Sequence, residues 1–71
     1  MGNKEIKYKL GNDIKNKRLE KNISQRTAAS ELGVSLTAFQ NWEKSLSLPK
    51  PDMLEIVCNY LCLNADDYKL G

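Results

Sequence analysis

The chain has 71 residues, 41% of them apolar, and its 11 Lys/Arg against 9 Asp/Glu leave a formal net charge of +2. A chain of that length is one domain, near the lower limit at which a single core supports a fold without staples. No stretch approaches the ~20 apolar residues of a membrane span, and no early apolar run resembles a signal peptide, so a cytoplasmic protein with no membrane partner is expected.

Cys58 and Cys62 are the only cysteines and there is no histidine, so the chain alone cannot assemble a tetrahedral zinc site. Thiols one helical turn apart also suit a disulfide poorly, and both are read as reduced, small packing residues. Charge is unevenly spread. Residues 1–26 carry eight Lys/Arg and three Asp/Glu, whereas residues 27–71 carry three and six. Such asymmetry fits either a polyanion-facing end or a solvated Lys-rich start.

Residues 1–9, "MGNKEIKYK", show no sustained period and are expected to form a flexible N-terminal segment ahead of a domain over 10–71. From Leu10 a helical stripe runs through Ile14 and the aliphatic stem of Lys17, ending near Asn22, a residue that tolerates the left-handed conformation of helix ends. Ser24 is a good N-cap for a short helix over 25–32, whose inward face is Ala28, Ala29 and Leu32. Ser35 is another N-cap, for a helix with Phe39 and Trp42 as apolar anchors and Ala38 beside them. Two N-caps with Gly33 between them are hard to reconcile with one continuous helix. Gly33 therefore reads as the residue past a helix end, where the chain turns a corner. "SLSLPKP" is a loop, and Pro51 suits the first turn of a fourth helix striped by Leu54, Val57, Cys58 and Leu61. A fifth short helix is expected over "ADDYKL", capped by Asn64. No segment reads as a strand.

Two short helices joined by a tight glycine-containing turn make a helix-turn-helix unit. Its packing needs a small residue at the crossing (Ala29), apolar residues on both sides of the glycine (Leu32, Val34) and anchors on the second helix (Phe39, Trp42). With the anchors inward, the outer face of the second helix is Leu36, Thr37, Gln40, Asn41 and Lys44. In a DNA major groove, Gln and Asn pair bidentately with adenine, while Leu36 and the Thr37 methyl pack on thymine methyls. Leu36, Thr37, Gln40 and Asn41 are thus the expected base contacts. The unpaired amides at the start of the 25–32 helix form a natural phosphate site. Ser24, Gln25, Arg26, Lys44 and Lys50 are the expected phosphate contacts. The bland alternative is a solvated helix face with ordinary caps.

"LGNDIKNKR" (10–18), "ISQRTAASELGVS" (23–35), "FQNWEKS" (39–45), Pro49 and "LEIVCNYLCLNADDY" (54–68) together resemble the Cro and phage-repressor-like, or XRE-type, helix-turn-helix family. The resemblance implies an all-α, compact five-helix bundle of the lambda-repressor-like type. It also implies an operator-DNA partner, usually bound as a homodimer on two-fold sites. It further implies a structural ion pair between Arg18 and Glu43. Three positions depart from the family pattern: Ala28 where leucine is usual, with Trp42 offering compensating volume, and Ser45 and Cys62 where glycine is frequent.

The fourth helix carries a second apolar stripe, Met53, Ile56 and Tyr60, which either lies under the N-terminal segment or, with Ala65 and Tyr68, forms a two-fold self-contact. Catalysis is not expected. There is no histidine, no phosphate-cradling glycine loop and no nucleophile with a base, and adjacent Asp66 and Asp67 do not face each other on a helix. No cofactor and no small-molecule ligand are expected. The reading is a DNA-binding transcriptional regulator, a bacterial or phage repressor. Its alternative is a protein-interaction module, an antitoxin or cofactor subunit, that keeps the same frame without reading DNA.

Overall fold

A computed structural model describes residues 3–68, with side-chain burial from Glu5 onward. Among the described residues there are four α-helices and no strand: α1 (Asn3–Glu20), α2 (Gln25–Leu32), α3 (Leu36–Glu43) and α4 (Pro51–Leu61). Ala65–Tyr68 form one turn of 3-10 helix where a fifth α-helix was expected; Lys69 and Leu70 of that expected helix lie outside the described residues.

The first helix starts at Asn3 and not at Leu10. The reason is Ile6, which stands one turn before Leu10 and is buried with it and Ile14. Side chains four apart share a helix face, and Arg18 continues this line in the place expected of Lys17, whose ammonium pairs loosely with Glu20 at 3.9 Å. Past Glu20 the chain unwinds at Asn22, whose φ of 56° is left-handed. The amide of Ile23 then bonds back to the Arg18 carbonyl at 3.1 Å and seals the helix end.

Helix α2 begins at its cap, where Ser24 Oγ accepts from the Thr27 amide at 3.0 Å. It ends at Gly33, with φ 74° and ψ 29°. A methyl on Gly33 would meet nothing within 4 Å, so backbone conformation and not space demands glycine there. Val34 closes the corner by donating to the Ala29 carbonyl at 3.0 Å. Ser35 Oγ accepts from the Ala38 amide at 3.1 Å and starts α3 at once.

The core gathers one face from every element: Ile6, Leu10 and Ile14; Ala28, Ala29 and Leu32; Phe39 and Trp42; Leu54, Val57, Cys58 and Leu61; and Tyr68. Helix α1 packs across α3, α2 packs on α3, and α4 closes the bundle against α1 and α2. Of the two free thiols, Cys58 is buried, whereas Cys62 is exposed and so is not a packing residue. Its place is the end of α4, because the helix stops there with Cys62 in the left-handed region and the Leu63 amide turned back to the Cys58 carbonyl at 2.8 Å.

Candidate nucleic-acid interface

The candidate interface is built on α3, whose inner face is spent on the core. Phe39 is fully buried and meets Trp42 edge to face, with ring centroids 6.0 Å apart and planes at 62°. The remaining face carries Leu36, Gln40 and Asn41, all half-buried, with Thr37 and Lys44 exposed. No ionisable side chain occurs on it before Lys44, so its chemistry is hydrogen bonding and apolar contact, ending in one positive charge.

At the C-terminal end of α3 four polar side chains meet. Arg18 Nε donates to Glu43 Oε2 at 2.6 Å, and Arg18 Nη2 donates to Oε1 at 3.3 Å, a two-pronged contact. Arg18 Nη1 donates to the Ile23 carbonyl at 2.8 Å, so one guanidinium ties α1 to both α3 and the segment entering α2. The side chains of Arg18 and Glu43 are only 10% and 4% exposed, which strengthens their attraction and raises the cost of parting them. Glu43 Oε1 also accepts from Gln25 Nε2 at 2.8 Å, and Gln25 Oε1 accepts from Gln40 Nε2 at 3.2 Å. Gln25 and Gln40, assigned on sequence to phosphate and base, are therefore bonded to each other.

That coupling was not visible in the sequence. Gln25 stands 18 residues from Glu43 and 15 from Gln40. The one available signal was chemical: a buried carboxylate has more acceptor capacity than one guanidinium fills, so a further donor is required nearby.

Among the other expected phosphate contacts, Ser24, Arg26, Lys44 and Lys50 are exposed. Ser24 also donates its hydroxyl to Thr27 Oγ1 at 2.9 Å. Lys50 precedes Pro51 as the N-cap residue of α4, without a side-chain cap bond. It lines a shallow depression of about 350 Å³ with Trp42, Leu48, Pro49, Asp52 and Met53.

The second apolar stripe is divided. Ile56 is half exposed, and Met53, Tyr60 and Ala65 are half-buried. The Tyr60 hydroxyl donates to Glu31, and desolvation together with that carboxylate raises its pKa to about 12. Tyr68 does not belong to this surface. It is 4% exposed, its hydroxyl donates to Asp13 Oδ2 at 2.5 Å, and the Lys9 ammonium lies 5.4 Å from its ring centroid. The 3-10 turn brings Tyr68 against the middle of α1, where Lys9 and Asp13, one turn apart, offer a cation and a carboxylate.

No described helix is long and apolar enough to cross a membrane. No curated protein matches the chain. A family model described as helix-turn-helix matches residues 14–66, which takes in the last seven residues of α1, both helices of the corner and all of α4. By that match, the two caps flanking Gly33 and the inward Phe39 and Trp42, the chain belongs to the XRE/Cro-like helix-turn-helix family of DNA-binding regulators.

Proposed function

We propose that the protein is a cytoplasmic, sequence-specific transcriptional repressor that binds a two-fold operator as a homodimer, with α3 in the major groove. The observation that carries this reading is the outer face of α3, which offers neutral hydrogen-bonding and methyl-bearing side chains and is followed by an exposed lysine. Leu36, Thr37, Gln40 and Asn41 read base edges, the first two through thymine methyls and the amides through adenine. Ser24, Arg26, Lys44 and Lys50 hold phosphates. Gln25, whose carbonyl is taken by Gln40 and one N–H by Glu43, has one N–H left for the same backbone. Met53, Ile56, Tyr60 and Ala65 form the two-fold contact, supported by Ile56, an apolar side chain left 49% exposed on α4.

The test is selection from random duplex DNA by the purified chain at moderate salt, sequenced after several rounds. Two enriched inverted half-sites about one helical turn apart support the reading. The other reading, a protein-interaction module on the same frame, has one observation in its favour: Leu46, just past α3, is 66% exposed and apolar. A selection that enriches no sequence moves the assignment to that module.

A further inference from the structure

We propose that the outer face of α1 is a second self-association surface, on which two copies of this chain pair antiparallel about a two-fold axis. Helix α1 spends one side on the core through Ile6, Leu10 and Ile14. Its other side is uncovered, yet it carries Tyr8 and Leu19, which are 56% and 52% exposed. They are two of the four large apolar side chains left exposed among the described residues. Asn12 and Lys15 stand exposed between them. The steps from Tyr8 to Asn12, Lys15 and Leu19 are four, three and four residues. That rhythm keeps one seam of a helix turned toward a second helix. The two apolar ends of the seam lie about 16 Å apart along the axis.

What selects a second copy as the occupant is the symmetry of this stripe. Its midpoint falls between Asp13 and Ile14, and reversing the helix about that point exchanges Tyr8 with Leu19 and Asn12 with Lys15. An isologous contact needs one patch that is complementary to itself. Here Tyr8 meets Leu19 of the second copy at each end, and the Asn12 carbonyl accepts from Lys15 of the second copy near the centre. Charge decides the direction. Each apolar residue is followed by an exposed charge, and the two charges are opposite: Lys9 after Tyr8, Glu20 after Leu19. Antiparallel pairing sets each Lys9 beside Glu20 of the other copy. Parallel pairing would set Lys9 beside Lys9, Lys15 against Lys15 and Glu20 beside Glu20, a repulsive arrangement. Neither charge is saturated within its own chain. The Lys9 ammonium lies 5.4 Å from the Tyr68 ring centroid, and Glu20 is 3.9 Å from Lys17. The stripe is separate from Met53, Ile56, Tyr60 and Ala65, so two such faces on one chain join dimers to dimers. One helix from each partner makes a small interface, under about 1,200 Å², which places it in the weak, transient class.

Sedimentation velocity without DNA tests this in a chain carrying Ile56→Asp, which disables the α4 stripe and leaves the α1 face alone. Concentration is raised to about 1 mM, where weak contacts are populated. Leu19→Asp, Lys9→Glu, Glu20→Lys and the last two together are added to that chain. Helical circular dichroism and the thermal midpoint check that each variant folds. The expected result is a monomer–dimer equilibrium for Ile56→Asp alone, and a monomer when Leu19→Asp is added. Lys9→Glu and Glu20→Lys each move the midpoint of dimerisation to roughly tenfold higher concentration, because like charges then stand side by side. Both changes in one chain restore the midpoint, since opposite charges face each other again. Mixing the two single variants gives a one-to-one pair that neither forms alone. An Ile56→Asp chain that stays monomeric while the wild type dimerises assigns self-association to the α4 stripe and overturns the inference. Dimerisation indifferent to Lys9→Glu overturns it too, as does a double variant no better than the single ones. No DNA enters the measurement, so its result is independent of the DNA-reading assignment, which the duplex selection tests separately.

Discussion

Gly11 of α1 lies so close to Trp42 of α3 that a methyl on Gly11 would stand 2.7 Å from the Trp42 carbonyl oxygen and 2.6 Å from Ser45 Oγ. The Ser45 hydroxyl can rotate away, but the carbonyl is backbone and cannot. In an isolated helix, alanine in place of glycine gains about 1 kcal/mol. Here the same change forces α1 away from the end of α3, where Arg18 and Glu43 meet. Gly11→Ala is expected to lower stability by about 2 kcal/mol, within the usual cost of overpacking. Urea denaturation monitored by helical circular dichroism measures it; a gain would mean that the two helices are not held at this distance.

The same end of α3 shows what local sequence could and could not reveal. The corner at Gly33 was legible because all its determinants are neighbours: two serine caps, one glycine and the inward positions within one turn of it. Phe39 and Trp42 were legible for the same reason. Ile6 was not, since a lone isoleucine among lysines shows no period, and its burial comes only with the packing of the whole core. Nor was the fate of Tyr68, which read as a surface aromatic until Asp13, 55 residues away, supplied its partner. The Gln25–Gln40 bond is of this kind too. Polar contacts between elements carry no periodicity, so nothing in the order of residues announces them.

Ser45 and Cys62 hold φ angles of 63° and 60°, in the left-handed region where the family often places glycine. A side chain there costs about 1–2 kcal/mol, because Cβ crowds the following carbonyl. Glycine removes that strain, although it adds freedom to the unfolded chain worth about 0.4–1 kcal/mol. At Cys62 the side chain is exposed, and its Sγ accepts from the Lys21 ammonium at 3.8 Å. Cys62→Gly is therefore expected to raise stability by about 0.5–1 kcal/mol. A rise in the denaturation midpoint with unchanged m-value is the signature; a fall would show that the thiol contact outweighs the backbone.

Breaking the Arg18–Glu43 pair from one side should be among the costliest single changes. Arg18→Ala leaves Glu43 at 4% side-chain exposure with Gln25 as its remaining donor, and Glu43→Ala strands the guanidinium. Each is expected to cost about 3–5 kcal/mol, a large share of a small domain's stability. The joint change Arg18→Met with Glu43→Leu strands no charge and is expected to cost clearly less than the sum. Thermal unfolding of the three variants checks this. Additive losses would mean that the two side chains are not coupled.

Tyr68 links stability to alkaline pH. Burial is the largest cause of its raised pKa, followed by its bond to Asp13, and Tyr60 is likewise raised, to about 12. A raised value means that the folded state holds the phenol proton more tightly than the unfolded chain, whose tyrosines titrate near about 10. The stability from these protons is thus complete below about pH 10 and is lost as pH rises through the folded values. Denaturation midpoints should be flat on this account up to that point and fall above it. Tyr68→Phe, although less stable at neutral pH, should fall less steeply. An equal slope in the variant would assign the alkaline loss to other groups.

Asn41 and Lys44 sit one turn apart at the end of α3, half-buried and exposed respectively, and they separate the two contributions to DNA binding. A neutral amide over a base edge adds affinity only where the right base stands below it. Asn41→Ala should therefore flatten the preference at one position, by about 1–3 kcal/mol, and leave the salt dependence alone. A lysine on a phosphate acts through counterion release, which is blind to sequence. Lys44→Ala should weaken all duplexes alike and reduce the slope of log affinity against log salt by about 0.9. Titrations of both variants across a range of salt, on the selected site and on a scrambled duplex, give both quantities together. An intact preference in Asn41→Ala would show that α3 lies in the groove on another face, with Leu36 and Thr37 re-aimed accordingly.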